Sequence, residues 1–159
     1  MRSIRRRAAL VLFGAAPRLA GAAGAELFAT VERLFDARST GTDAIVAVLG
    51  AGPLRVVSPA SPAFDYLAAD LPPLSPFTSL DLRHHRTRAA GIAVLAARAG
   101  NGTTPQEVRA RYGSVAWNDV RPELPFFYLR YERRDAYLGF GFPRGAGELA
   151  RVVVSWGLG

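Results

Sequence analysis

His84 and His85 are the only histidines in the chain, and they close a strand-like run beside Asp81 and among Arg83, Arg86 and Arg88. Nowhere else do the residue types for metal binding or acid–base work gather. Their spacing serves neither purpose. Adjacent strand residues point to opposite faces, so the two imidazoles do not converge. Asp81 and His85 share a face four residues apart, too far to chelate as a pair. A metal needs three or four converging ligands, and a general base needs an oriented partner within hydrogen-bond reach. The three arginines of the turn also repel a cation, so the segment reads as an exposed polar hairpin. No G-x-S-x-G, H-E-x-x-H, phosphate-loop or dinucleotide glycine motif occurs. The acids are scattered, with no close pair suited to glycosidic chemistry. With no cysteine in the chain, disulfides and thiolate metal sites are excluded. No catalytic residue, metal ligand or cofactor is assigned.

Binding chemistry has a better basis in strand alternation. In the last third of the chain, Phe127, Leu129 and Tyr131 share one strand face, as do Leu138, Phe140 and Phe142, and Val152, Val154 and Trp156. These nine form the expected core set. The opposite face then carries Phe126, Tyr128, Arg130, Tyr137, Gly139, Gly141, Arg151, Val153 and Ser155. Aromatic residues and arginine are the types enriched at protein interfaces and their hot spots. A weaker version is expected earlier in the chain from Phe64, Tyr66, Phe77, Asp81 and Arg83. The candidate binding residues are therefore Phe126, Tyr128, Arg130, Tyr137 and Arg151, with Phe64 and Tyr66. Three readings of this face stay open at this point: a second core layer covered by a loop or by the other half, a partner surface, and a small-ligand cleft.

The elements that would position these residues occur in the same order twice. Leu27, Val31, Leu34 and Phe35 give the segment from Glu26 to Ala37 one apolar helix face. A short helix from Thr42 to Leu49 follows, ended by Gly50. Strands are expected at Leu54–Ser58, Phe64–Ala69, Phe77–Arg83 and Gly91–Ala97, with a proline-rich loop from Leu71 to Pro76. Thr104-Pro105-Gln106-Glu107 then spells a capping box with proline in the first turn. That helix runs to Tyr112 and stops at Gly113. Further strands are expected at Ser114–Val120, Phe126–Glu132, Tyr137–Phe142 and Leu149–Trp156. Ile45 and Gly50 match Val108 and Gly113 at an offset of 63, Phe64 and Tyr66 match Phe126 and Tyr128 at 62, and Ile92 and Val94 match Val152 and Val154 at 60. A slowly drifting offset of this kind is what tandem duplication leaves. The leading helix has no counterpart in the second half.

Gly102-Thr103-Thr104-Pro105-Gln106-Glu107-Val108, Tyr112-Gly113, Tyr128-Leu129-Arg130-Tyr131 and Tyr137-Leu138-Gly139-Phe140-Gly141-Phe142 together resemble one repeat of the β-lactamase inhibitory protein fold, a pattern shared with the SmpA/OmlA outer-membrane assembly proteins. The resemblance is best over residues 102–156 and loose before them. It implies helices on one face of an antiparallel sheet, with the open face binding another protein. The inhibitory members carry disulfides and the assembly members a lipidated cysteine. This chain has neither, so target and role do not carry over.

The first 25 residues have the layout of an export signal. Arg2, Arg5, Arg6 and Arg7 form a charged head, Ala8 to Ala16 a short apolar run, and Ala20-Gly21-Ala22 and Ala23-Gly24-Ala25 two A-x-A sites. Arg6-Arg7 also permits a twin-arginine reading, although the flanking residues fit the general secretory route better; the alternative to export is an uncleaved N-terminal helix on a cytoplasmic protein, which Arg18 in the cleavage region favours. The apolar run is far shorter than the roughly 20 residues that span a bilayer. Five of the 20 arginines and no acid precede Glu26, which leaves 15 arginines against 13 acids and a formal charge near +2. A nucleic-acid partner inferred from the full-chain charge of +7 would rest on the leader segment.

The expected organisation is therefore a cleaved signal peptide (1–25), a first α+β half (26–100) and a second (101–159). The expected fold class is α+β, with tandem halves of a helix plus a four-stranded antiparallel sheet and the helices packed on one sheet face. The expected function is a non-catalytic, exported protein-binding module, periplasmic or secreted. It would act as an enzyme inhibitor or an envelope-assembly accessory. Its partner would be another protein in the envelope or outside the cell, without nucleic acid and without a transmembrane segment in the mature chain. The alternative is a small-ligand-binding protein or minor enzyme with a pocket between the halves, drawing on Tyr128, Arg130 and Asp81. A structural subunit, its open face buried by a neighbouring chain, is the third class.

Overall fold

A computed structural model describes residues 18–57, 61–113, 123, 125–145 and 147–158. Leu27, Val31 and Leu34, spaced four and three apart, are each at most 1% exposed and fix one face of α1 (Arg18–Ala37) against the core. The helix begins before Glu26, where it was expected to start, and runs through both A-x-A sites. After Gly41, α2 (Thr42–Leu49) ends in a Schellman motif. Gly50, at φ 59°, donates its N–H to the Ala47 carbonyl, and Ala51 donates to Val46 at 3.0 Å. Only a residue tolerant of the left-handed region fits at position 50. The N-cap of α2 is Gly41, without a side-chain bond, and Thr42 is the first helical residue.

The Thr104 capping box forms as its sequence requires. The Glu107 N–H donates to Thr104 Oγ1 at 3.2 Å, and the Thr104 N–H donates to Glu107 Oε2 at 2.7 Å. It opens α3 (Pro105–Tyr112), whose Val108 is fully buried.

Seven strands, β1 (Arg55–Val56), β2 (Phe64–Ala69), β3 (Phe77–His85), β4 (Gly91–Ala97), β5 (Phe126–Arg133), β6 (Ala136–Pro143) and β7 (Arg151–Trp156), form one antiparallel sheet in the order β1-β2-β3-β4-β7-β6-β5. The fold is α+β, with the three helices of the described residues packed on this sheet. Each half runs from helix into an antiparallel meander, and the last strands of the two meanders, β4 and β7, pair at the middle, Val94 opposite Val153. The first half contributes four strands. The described residues of the second contribute three, because the strand expected at 114–120 lies outside the described residues.

One face of each strand from β3 to β7 enters the core: Leu80 and Leu82 on β3, Ala93 and Leu95 on β4, Leu129 and Tyr131 on β5, Leu138, Phe140 and Phe142 on β6, and Val152, Val154 and Trp156 on β7; β2 adds Ala69, and β1 is exposed. The nine second-half residues expected there all lie on that face, and Phe127 alone remains half-buried. Phe140 carries the aromatic centre, with ring centroids 5.1 Å from Tyr112, 6.0 Å from Tyr131 and 6.3 Å from Phe28.

Phe77 departs from expectation. A β-bulge between Phe77 and Ser79 adds a residue to β3, and the side chain of Phe77 turns to the core face, where it is fully buried. A bulge shifts the alternation of everything on one side of it. Phe77 is therefore removed from the open-face set.

The crossing between the halves is held by polar groups. Asn101, 5% exposed, donates from Nδ2 to the carbonyls of Arg98 (2.7 Å) and Leu149 (2.9 Å), and its Oδ1 accepts the Thr103 N–H at 2.9 Å. The Glu148 carboxylate accepts the N–H groups of Gly100 and Gly102.

Candidate binding face

Uninterrupted alternation on β5, β6 and β7 places Phe126, Tyr128, Arg130, Tyr137 and Arg151 on the face away from the helices. Register sets their spacing. Tyr128 pairs with Gly141 and Gly141 with Arg151, so Tyr128 and Arg151 flank a bare glycine. Arg130 pairs with Gly139, which pairs in turn with Val153. The glycines of β6 thus form a floor, and the long side chains of β5 and β7 lean across it. A Cβ on Gly141 would stand 2.6 Å from Tyr128 Cε1.

The arginines stand over rings. The guanidinium carbon of Arg130 is 4.0 Å from the Tyr137 centroid, that of Arg151 is 4.4 Å from Phe126, and that of Arg83 is 5.6 Å from Tyr66. Stacking of this kind holds a planar cation in place and leaves the edges of the plane free to donate. Arg83 and Arg130 each also hold a carboxylate on their own strand, Asp81 at 3.1 Å and Glu132 at 2.9 Å. The Nε of each is covered and has no hydrogen-bond partner among the described residues. At the far edge Arg55 makes a two-pronged bond to Asp70, both at 2.8 Å, which lowers the Asp70 carboxyl pKa below its usual range. Phe64 stacks edge-on against His85, centroids 5.1 Å apart.

In the middle of the face Val153 stands where alternation put it, whereas Ile92 and Val94, matched in sequence to the core residues Val152 and Val154, lie on the opposite face from those two. Ile92 and Val94 on β4 and Val153 on β7 are half-buried and give the face an apolar centre between its two aromatic ends. Their alternation was visible in sequence, but the pairing of β4 with β7 that sets them in the middle was not. Ser155, expected to be open, is 2% exposed between Ile92 and Tyr137.

The candidate residues form two groups. Phe126, Tyr128, Arg130, Tyr137 and Arg151 stand together, whereas Phe64 and Tyr66 sit on β2, five strand spacings of about 4.8 Å from β5, roughly 24 Å away. Asp81 and Arg130 fall in one row across the sheet but four spacings apart, about 19 Å, and do not converge on one ligand. His84 and His85 point to opposite faces, and among the described residues no cluster of three metal-ligating side chains forms. The His85 Nδ1 accepts the Thr87 N–H at 3.2 Å, a local turn contact.

A cleft of about 230 Å³ lies at the hairpin end of the same half, lined by Arg130, Glu132, Asp135, Tyr137, Ser155 and Leu158 among others. Ligand pockets for drug-sized molecules run from roughly 300 Å³ upward. This cleft is smaller, and it lies on one half rather than between the two. No described helix is long and apolar enough to cross a membrane.

No family model matches the chain, and no curated protein matches it. Among solved structures, the chain is similar to the crystal structure of YjgB, a DUF4309 family protein from Bacillus subtilis. Identity is 14%, the TM-score is 0.50, and the match covers 80% of this chain and 96% of that one. At that identity the likeness concerns the fold alone.

Proposed function

We propose that this chain is an exported, non-catalytic protein-binding module that holds another envelope or extracellular protein on the sheet face opposite its described helices. The observation that carries this reading is the asymmetry of the sheet. The helices pack on one face, while the other presents half-buried rings, stacked guanidiniums and an apolar centre. Those are the residue types and partial exposures of an interface core. The repeated order of helix and meander, with α2 and α3 separated by 63 residues at both ends, supports descent of the two halves from one unit. The resemblance of residues 102–156 to the inhibitory-protein repeat is in line with a sheet face that binds protein. The charged head, the short apolar run and the A-x-A sites support export.

A small-ligand site has one observation in its favour, the cleft beside Arg130. Its volume, near 230 Å³, is short of what such sites use, and this ranks it second.

Site-specific crosslinking tests the reading. A photoreactive residue in place of Tyr137 should join the protein to another envelope protein, whereas one in place of Asp43, exposed on the helix side, should not. Equal crosslinking from both positions, or from neither, speaks against a binding face. N-terminal sequencing of the native protein should return a start near Ala23 or Glu26; Met1 or Arg2 would remove the export claim.

A further inference from the structure

We infer that the partner held by this face brings a carboxylate to Arg151. This rests on the protein-binding reading above and adds the chemistry of what is bound.

The charges of the face are otherwise matched within it. Arg55 holds Asp70, Arg83 holds Asp81 and Arg130 holds Glu132. Arg151 is the one strand arginine of this face with no acid on it among the described residues. Its register neighbours are Gly141 and Ala96, neither of which offers a polar side chain. The closest acid by register, Asp81, is two strands and two residues away, about 12 Å, and already carries Arg83.

Arg151 is nonetheless placed rather than loose. Its guanidinium carbon lies 4.4 Å over the Phe126 ring, a contact that restricts the side chain while leaving it exposed. A planar guanidinium with free edges matches a carboxylate through two parallel hydrogen bonds. Because stacking already restricts the side chain, little rotamer freedom remains to be lost when the bond forms.

The surroundings make the pairing a requirement. Phe126 and Tyr128 flank Arg151, and a partner that covers those rings removes water from the guanidinium as well. A cation stripped of water without an anion disfavours the complex strongly. A neutral or basic segment is thereby rejected, and an apolar segment with one aspartate or glutamate is accepted.

A selection from a random peptide library displayed on phage tests this with the full chain as bait. Peptides retained by the wild type and lost with Tyr128→Ala should be enriched in Asp or Glu. The best of them, made synthetically, should bind Arg151→Glu at least tenfold more weakly, and replacing its acid by the amide should cause the same loss. The two losses should not add when combined. Arg151→Glu should instead select basic peptides, with its melting temperature unchanged because the side chain is exposed. Peptides that depend on Tyr128 yet show neither acid enrichment nor sensitivity to Arg151→Glu overturn the carboxylate inference and leave the binding face standing. A selection with no peptide that depends on Tyr128 overturns both.

Discussion

The ring of Tyr128 lies over Gly141, so close that a methyl group on that glycine would stand 2.6 Å from Cε1 and 3.2 Å from Cδ1. The two residues are register partners on β5 and β6. Glycine in a strand interior weakens the strand unless something uses the space. Here the aromatic side chain uses it, its ring edge lying over the glycine.

Gly141→Ala should therefore move the Tyr128 ring without breaking the fold. The gain in strand preference from alanine and the cost of displacing the ring oppose each other, each on the order of 1 kcal/mol. Thermal unfolding should change by only a few degrees, while the ring-current shifts that Tyr128 impresses on its neighbours change clearly. A collapse in stability would mean that the ring has nowhere to go.

Much of this arrangement was legible in the residues. The alternation of β5, β6 and β7 runs without a break, so the faces of Tyr128 and Phe140 follow from counting by two. Thr104 and Glu107 announce their helix three residues apart, because a capping box needs both partners within one turn. Phe77 was not legible. Counting by two holds only until a bulge, and the Phe77/Ser79 irregularity arises from pairing with β4, which sequence spacing does not display. Asn101 escaped notice for a similar reason. Its partners, the Arg98 and Leu149 carbonyls, become neighbours only after the chain has crossed between the halves. The grouping of Arg151 with Tyr128, and the exclusion of Phe64 and Tyr66 from that group, depend on strand order rather than on strand content.

Asn101→Ala should be among the more damaging single changes. It removes three hydrogen bonds at a site 5% exposed and leaves the Leu149 carbonyl without its side-chain donor. At about 1 kcal/mol per bond, plus the penalty for groups left unpaired, the loss should reach roughly 2–4 kcal/mol. Urea unfolding should show the drop in midpoint with little change in slope. A loss under about 0.5 kcal/mol would mean water replaces the amide.

Tyr112 supplies a pH dependence on the alkaline side. Burial against Phe28, Phe140 and Tyr131, with the Glu32 carboxylate nearby, raises its pKa to about 12 from the ordinary 10. The folded chain holds this proton more tightly than the unfolded chain. The stabilising contribution is thus complete below pH 10 and is lost as pH rises through about 12. Absorbance titration should show tyrosine ionisation extending to about pH 12, with Tyr112 as its last step, together with a fall in melting temperature over the same interval. Tyr112→Phe should remove the late step. Glu32 acts at the other end. The hydrogen bond from Arg111 lowers its carboxyl pKa, so that contribution is present above the unfolded carboxyl pKa and disappears as pH falls through the folded one. Both side chains are more than 40% exposed, so the pair is worth no more than about 1 kcal/mol.

Tyr128→Ala decides between a working face and a mere outer layer of the sheet. The ring is half-buried, packs over Gly141 and stands 6.4 Å centroid to centroid from Phe126, so some stability must be lost in either case. A fully buried large aromatic loses roughly 3–5 kcal/mol on truncation. A ring with one side in solvent loses less, and about 1–2 kcal/mol is expected from the area that remains covered. An interface hot spot loses about 2 kcal/mol or more of binding, a 30-fold change in affinity at 25 °C. The two quantities are measured on one variant, by thermal unfolding and by titration with the crosslinked partner. A modest fall in melting temperature with a 30-fold or greater loss of affinity establishes Tyr128 as a contact residue. A stability loss on the scale of Phe140→Ala, with partner affinity unchanged in the fraction that stays folded, would show that the ring serves the fold alone and that the binding face lies elsewhere.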